Sequence, residues 1–330
     1  MAPPHPGEFD LIARYFAPIA AAFPGALGLQ DDAALFDPPA GSRLVVTADA
    51  MVAGVHFFEN DPADLIARKL MRVNLSDLAA KGATPYACLL TICLPAGTEE
   101  GWIAGFAEGL AADASEYAFP LAGGDTTRTP GPLTLSLTAV GVMPAGRAPL
   151  LRSGAKPGDL LFVTGTIGDA HLGLALQQGE FAGLAAHHRA ALIARYRLPQ
   201  PRVSFGQALA SLSGVHAAAD VSDGLAADLG HICAASGVSA RLEAAALPLS
   251  PAARAVIAGQ DVRTRLLTGG DDYEIIFTAD PAAAGAIEAL AKSHDLAVTR
   301  IGAVGAGAGI EVVDAAGETI SLSQKGFQHF

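Results

Sequence analysis

Apolar positions along this chain fall into helical and strand-like spacings that alternate from one end to the other. Phe9, Ile12 and Phe16 recur near helical spacing and predict a short amphipathic helix over 8–16. Pro24-Gly25 breaks the chain after it, and Arg43-Leu44-Val45-Val46-Thr47 reads as a strand that ends at Asp49. Asp61-Pro62 reads as an N-cap followed by proline at the first helical position. The helix it opens runs to Lys81, with Leu65, Ile66, Leu70, Val73 and Leu78 on a broad apolar face, and Gly82 stops it. A strand over 86–94, a helix over 99–116 and a short buried strand from Phe119 to Ala122 come next. That strand runs into Gly123-Gly124-Asp125, and Leu133 to Val142 predicts a longer strand.

The stretch from Met143 to Asp159 is rich in Pro, Gly and Arg, so two domains are expected, 1–145 and 146–330. Leu160 to Thr164 starts a second α/β set. Helices are predicted near 168–178, 186–196, 203–212, 223–236, 250–259 and 281–294, and strands near 239–243, 272–278 and 298–304. Gly305-Ala306-Gly307-Ala308-Gly309 reads as a flexible turn, because it lacks the strand–Gly-x-Gly-x-x-Gly–helix context of a dinucleotide fold. The pattern as a whole is α/β.

Length and charge narrow the function. A chain of 330 residues, 51% hydrophobic, suits two cores. Its net charge of −12 lacks the basic footprint of a nucleic-acid or anionic-membrane binder. An acidic protein that handles phosphates needs divalent metal as its source of positive charge. Cys88, Cys93 and Cys233 make no Cys-x-x-Cys pair, which points to small buried hydrophobes in a reducing, cytoplasmic compartment. Met1 to Pro6 is too proline-rich for a helix or a signal peptide, and no long apolar run predicts a membrane span.

Aspartate is the residue placed unusually. It recurs after apolar runs, at Asp31-Asp32, Asp49, Asp77, Asp125, Asp220 with Asp223, and Asp271-Asp272. Three of these sit among glycine or small residues, where the backbone can turn sharply and approach a ligand. Carboxylates on such turns are hard oxygen ligands for Mg²⁺. Taken alone, each is better read as a helix cap or turn residue, but Asp77 resists that reading because it lies inside a predicted helix, where Asp has poor propensity. Two carboxylates about 4 Å apart repel by roughly 4 kcal/mol at an effective dielectric of about 20. The set is therefore either dispersed or bridged by metal.

The chain has no Gly-x-x-x-x-Gly-Lys-Ser/Thr loop, no His-Arg-Asp or Asp-Phe-Gly set, no Gly-x-Ser-x-Gly elbow and no His-Glu-x-x-His pair. What it has is an ordered series of blocks: Gly7-Glu8-Phe9-Asp10-Leu11-Ile12, Asp31-Asp32-Ala33-Ala34-Leu35, Val52-Ala53-Gly54-Val55-His56-Phe57, and Asn74-Leu75-Ser76-Asp77-Leu78 through Ala83. Gly123-Gly124-Asp125-Thr126-Thr127-Arg128, Arg152-Ser153-Gly154 through Asp159, Asp220-Val221-Ser222-Asp223-Gly224-Leu225 and the ending Lys325-Gly326-Phe327-Gln328-His329-Phe330 complete it. In this order the blocks resemble the thiamine-monophosphate kinases of the aminoimidazole-ribonucleotide-synthetase-like superfamily.

The resemblance implies a two-domain, PurM-like α/β architecture and a homodimer joined through N-terminal strands. It also implies ATP-dependent phosphorylation of thiamine monophosphate with several Mg²⁺ ions, by in-line transfer to a phosphate oxygen that needs no strong base. By resemblance, Asp32, Thr47, Asp49, Asp77, Asp125, Asp220 and Asp223 match metal positions, with Ala48 offering only its backbone oxygen. Gly124, Asp125, Arg152 and Ser222 match ATP positions, and His56, Asp271 and Phe327 match the thiamine side. Asp49, Asp125 and Arg152 are the expected catalytic set. Read by themselves, His56 fits a core histidine, Arg152 a surface cation and the terminal aromatics a tail pinned to the body.

The chain departs from the family pattern at Gln30, where Gly is usual, at Ala48, where a hydroxyl is usual, at Asp271, where Glu is common, and at Gln324. Three rival readings stand beside the kinase: a sibling phosphate-activating enzyme, a nucleotide or metal sensor, and a metal-dependent phosphatase. A selenophosphate synthetase would carry a reactive Cys near the N-terminus, and none is there.

Overall fold

The structure, a computed structural model, describes residues 7–258, 262–322 and 326–327. Met1 to Pro6, Gln324, Lys325, the last three residues and the end of the helix expected over 250–259 lie outside the described residues. The chain divides into two compact units, one of residues 1–78 and 84–146, the other of 79–83 and 147–330.

The N-terminal unit begins with α1 (Glu8–Leu11), a π turn over Ile12–Phe16 and α2 (Ala17–Ala20). The helical run thus outlasts the expected end at Phe16. Pro18 has no N–H to give, and the wider π turn before it accommodates that loss. The rest of the unit is β1 (Arg43–Val52), α3 (Ala63–Lys81), β2 (Thr84–Pro95), α4 (Glu100–Glu116), β3 (Leu121–Thr129) and β4 (Thr134–Met143). The four strands form one sheet in the order β1-β4-β2-β3, with β2 and β3 parallel and the other pairs antiparallel.

α3 is buried almost throughout, with Leu70, Met71, Leu75 and Leu78 fully covered. α4 comes so close to it that a Cβ on Gly109 would overlap the Asp64 carbonyl. Burial of α3 extends to Arg72, which is satisfied by Asp113 of α4 at 2.6 and 3.0 Å. Arg68 reaches the same carboxylate at 2.8 Å.

Two expectations change in this unit. The Gly123-Gly124-Asp125 run is not a turn after a strand but the middle of β3. Gly124 is required there by close approach, since a Cβ would overlap the carbonyl oxygen of Leu90 on β2. β1 also continues past Asp49 to Val52, so Thr47, Ala48 and Asp49 are strand residues.

The C-terminal unit runs through β5 (Leu160–Thr164), α5 (Asp169–Gln177), α6 (Ala186–Arg197), α7 (Val203–Leu209), β6 (Val215–Asp220), α8 (Leu225–Ser236) and β7 (Ser239–Glu243). It continues with α9 (Pro251–Ile257), α10 (Arg263–Thr268), β8 (Ile275–Ala279), α11 (Ala284–Ser293), β9 (Val298–Gly305) and β10 (Gly309–Val313). Its six strands are ordered β10-β7-β9-β5-β8-β6. β5 and β8 are apolar on both faces because each face carries a core: Leu161 and Val163 pack with Leu172, Leu229 and Ile276, while Phe162 packs with Phe205, Phe277 and Ile287. β6, α10 and β10 are elements that the apolar spacing does not reveal, and the Gly305–Gly309 run is the connection from β9 into β10.

Candidate active site

In the N-terminal unit the candidate residues sit on regular elements. Alternation along β1 puts Thr47 and Asp49 on one half-buried face and leaves Ala48 exposed on the other. Thr47 Oγ1 donates to the Asp77 carboxylate of α3 at 2.5 Å, so β1 and α3 meet at this acid. The Asp49 carbonyl accepts from Ser136 Oγ at 3.1 Å. His56 follows β1 in a turn; its Nδ1 accepts the Val52 N–H at 3.0 Å, which puts the neutral ring's proton on Nε2. Lys69 Nζ donates to the His56 carbonyl at 3.0 Å.

At the opposite edge of the sheet, a cleft of about 570 Å³ is lined by Asp31, Asp32, Thr91, Gly124, Asp125 and Thr138. Gln30, just before Asp31, has φ −110°, a conformation that does not require glycine, so the missing glycine costs the loop nothing. Register fixes the spacing of the two edges. Asp49 pairs with Leu137, Leu137 with Leu90, and Leu90 with Gly124. Three strand spacings therefore separate Asp49 from the Gly124-Asp125 edge, about 14 Å. Among the described residues, Asp32, Asp49, Asp77 and Asp125 supply no group of three ligand atoms within reach of one ion. Within one N-terminal unit, Asp49 and Asp125 therefore stand too far apart to share an ion.

In the C-terminal unit the candidates gather on the loop from β6 to α8. Asp220 ends β6 and is buried, and Ser222 and Asp223 follow. Gly224 opens α8 with φ 123°, where its missing Cβ clears the Thr268 carbonyl. The Gly269–Tyr273 segment lies along this loop: Asp271 N–H donates to the Ser222 carbonyl at 2.9 Å, and Tyr273 N–H to that of Val221 at 2.8 Å. Asp271 holds φ 71°, an uncommon conformation for a residue other than glycine, and accepts from Tyr273 Oη at 3.2 Å. Phe327 N–H donates to the Asp223 carbonyl at 2.9 Å. Three sequence blocks far apart in the chain thus meet at Ser222-Asp223.

The loop rests on an acid that the blocks did not single out. Asp228 of α8 is fully buried, and its Oδ2 accepts the N–H groups of Ser222 at 3.1 Å and Asp223 at 3.2 Å. Burial, with the Asp223 charge second, pushes its carboxyl up to about 7, against the two N–H groups and the nearby Arg152 guanidinium. Arg152 itself is exposed, and its carbonyl accepts from Ser236 Oγ at 3.1 Å. The signal for Asp228 is the one that marks Asp77: a lone carboxylate on the apolar face of a helix, here between Ala227 and Leu229.

Other buried acids are structural. Glu274 is held by Arg195 and Arg202 and by Thr164 Oγ1 at 2.7 Å. Asp272, next to Asp271, accepts the N–H groups of Gly168 and Ala170 at the start of α5. None of the described helices is long and apolar enough to cross a membrane.

Residues 30–143 match the AIR synthase related protein, N-terminal domain, and residues 156–315 match its C-terminal domain. The thiamine-monophosphate kinase of Caulobacter vibrioides is 45% identical over 98% of this chain and 91% of its own length. The crystal structure of thiamine-monophosphate kinase from Stenotrophomonas maltophilia is 44% identical, with a TM-score of 0.83 over 93% of this chain and 98% of that one. AaThiL complexed with AMPPCP and TMP is 29% identical, with a TM-score of 0.76 over 91% of both chains.

Proposed function

The chain belongs to the thiamine-monophosphate kinase family, and from that premise we propose how its residues share the work of one phosphoryl transfer. It is a thiamine-phosphate kinase, which uses ATP to phosphorylate thiamine monophosphate in thiamine diphosphate biosynthesis. The observation that carries the substrate reading is the meeting of ATP-side Ser222 with thiamine-side Asp271 and Phe327 on one loop. Ser222, Arg152 and Gly124 serve the nucleotide, and Asp271, Phe327 and His56 hold thiamine monophosphate. The nucleophile is already an anionic phosphate oxygen, so the chain needs no strong base, and Arg152 adds positive charge where the two substrates repel. In-line displacement is the geometry this division favours.

The donor set fits Mg²⁺. Asp32, Thr47, Asp49, Asp77, Asp125, Asp220 and Asp223, with the Ala48 carbonyl, offer hard oxygens from carboxylate, hydroxyl and backbone. When bound, the metal neutralises and aligns phosphate oxygens. The chain's own part is to hold those donors, which the Thr47–Asp77 hydrogen bond and the Asp228 platform do.

The working unit is a homodimer joined through the N-terminal strands. β1 is an edge strand that exposes Leu44 and Val46, an apolar edge that a second copy would cover. The 14 Å gap, about three strand spacings, adds a stronger reason. An ion that needs both Asp49 and Asp125 can have them only if β1 of one copy meets β3 of another. On this reading 1–145 supplies the dimer strands and most metal ligands, 146–330 supplies the Ser222-Asp223 loop, and the enzyme works in the cytoplasm.

Incubating the purified protein with ATP, Mg²⁺ and thiamine monophosphate tests this, with thiamine diphosphate read by fluorescence after oxidation. The reading requires product that EDTA abolishes. Phosphate release without thiamine diphosphate would point to a phosphatase, and ATP binding without turnover to a sensor.

A further inference from the structure

At the start of α8, Asp223, Asp228 and His231 place one ligand atom each within 4.8 Å of one another. Asp228 and His231 are three residues apart on the same helix, which puts them on one face, and Asp223 comes from the loop in front of it. A carboxylate pair near a histidine is common on protein surfaces and proves little. What distinguishes this one is Asp228: its Oδ2 is occupied by two N–H groups, while its Oδ1 is wholly buried and has no hydrogen-bond partner among the described residues. An unsatisfied carboxylate oxygen inside a protein is costly, and the Asp228 carboxylate lies beside a second acid and an imidazole. A cation between the three satisfies all of them. Three ligand atoms each about 2.1 Å from one ion lie roughly 3.0–3.6 Å apart, so the trio closes by about 1 Å on binding, within the reach of side-chain rotation.

We propose that Asp223, Asp228 and His231 form a divalent-cation site with a mixed carboxylate–imidazole donor set, which takes a first-row transition ion such as Mn²⁺, Co²⁺ or Zn²⁺ in preference to Mg²⁺. Imidazole nitrogen suits these ions, whereas Mg²⁺ demands oxygen and near-ideal octahedral geometry. The site shares Asp223 with the kinase reading and so rests on that acid being open to metal, but it needs neither nucleotide nor thiamine monophosphate.

The test is a Co²⁺ titration of metal-stripped full-length protein, in excess Mg²⁺ and without substrates, followed by the visible absorption of bound Co²⁺. One equivalent binds to the wild type, and His231→Ala weakens it about tenfold or more. His231 is exposed, so this variant keeps the wild-type melting temperature, and His187→Ala controls for a surface histidine. Asp228→Asn weakens Co²⁺ similarly. Binding unchanged in His231→Ala, or no Co²⁺ bound against the excess Mg²⁺, overturns the site. His231-dependent binding in a protein that makes no thiamine diphosphate supports the site and sinks only the kinase roles. Normal turnover with His231-independent binding sinks only the site.

Discussion

The helix layer and the strand edges of the N-terminal unit both carry aspartates, and they treat them in opposite ways. In the helix layer Asp113 is fully buried and gripped by Arg68 and Arg72, so its charge is cancelled inside the protein. Towards the sheet and its edges, Asp77 of α3 accepts a hydroxyl from Thr47 of β1, and Asp32, on the loop before β1, and Asp125 of β3 face a cleft. The C-terminal unit repeats the contrast. Glu274 has two arginines, while Asp228 has two backbone N–H groups and one oxygen left over. An acid neutralised from within holds the fold together, and on the proposed reading an acid left for a cation from outside marks the site. Net charge alone hides this, because both kinds add equally to −12.

The contrast breaks if the two kinds of acid respond alike to mutation. Asp113→Ala removes the fully buried acid that Arg68 and Arg72 share, leaving buried Arg72 with the half-exposed Glu116, and lowers unfolding free energy by about 3–5 kcal/mol in denaturant titration. Asp49→Asn and Asp125→Asn should do the reverse. Each lowers turnover by about 10²–10³-fold, roughly 2.7–4 kcal/mol of transition-state stabilisation, at an unchanged melting temperature. Gly124→Ala has a smaller effect, because the strands must part to admit a methyl group against the Leu90 carbonyl. It costs about 1–3 kcal/mol of stability and lowers activity through the displaced Asp125.

The smallest effect is a pH slope. Burial first, then the Arg265 charge, holds the His171 imidazole below its usual range, against Glu180 and Asp271. The folded state then binds this proton less well than the unfolded state. The stability it contributes is fully present above the unfolded value, about 6.5, and is lost as pH falls through the lower folded value. Wild type should lose stability more steeply than His171→Gln below pH about 6.5; equal slopes would show that His171 is not held neutral.

Much of the fold is legible in the sequence because most elements carry their own signal. α3 announces itself by its apolar face and by Gly82 after it, and Asp77 by being an acid inside that helix. β6 is hidden because Val215-His216-Ala217-Ala218-Ala219-Asp220 is built of small residues with no β-branched rhythm. Gly124 misleads in a different way. Glycine signals a turn as readily as a close strand approach, and only the neighbouring strand decides between them. The spacing between Asp49 and Asp125 is not local information at all. It follows from sheet order, which brings together strands far apart in the chain. Asp228 carries the same signal as Asp77, an acid inside an apolar helix pattern, but stands outside the Asp220–Leu225 block beside it.

The most direct test of the shared site is to mix the two inactive variants. If Asp49 of one copy works with Asp125 of another, a dimer of one Asp49→Asn chain and one Asp125→Asn chain contains one intact site and one doubly altered site. After subunit exchange of equal amounts, half the dimers are mixed, and thiamine diphosphate formation should recover to about a quarter of wild type. Each variant alone should stay inactive. A mixture that remains as inactive as its parts, with exchange verified by mass, would mean that both acids act within one chain and that the dimeric site is wrong.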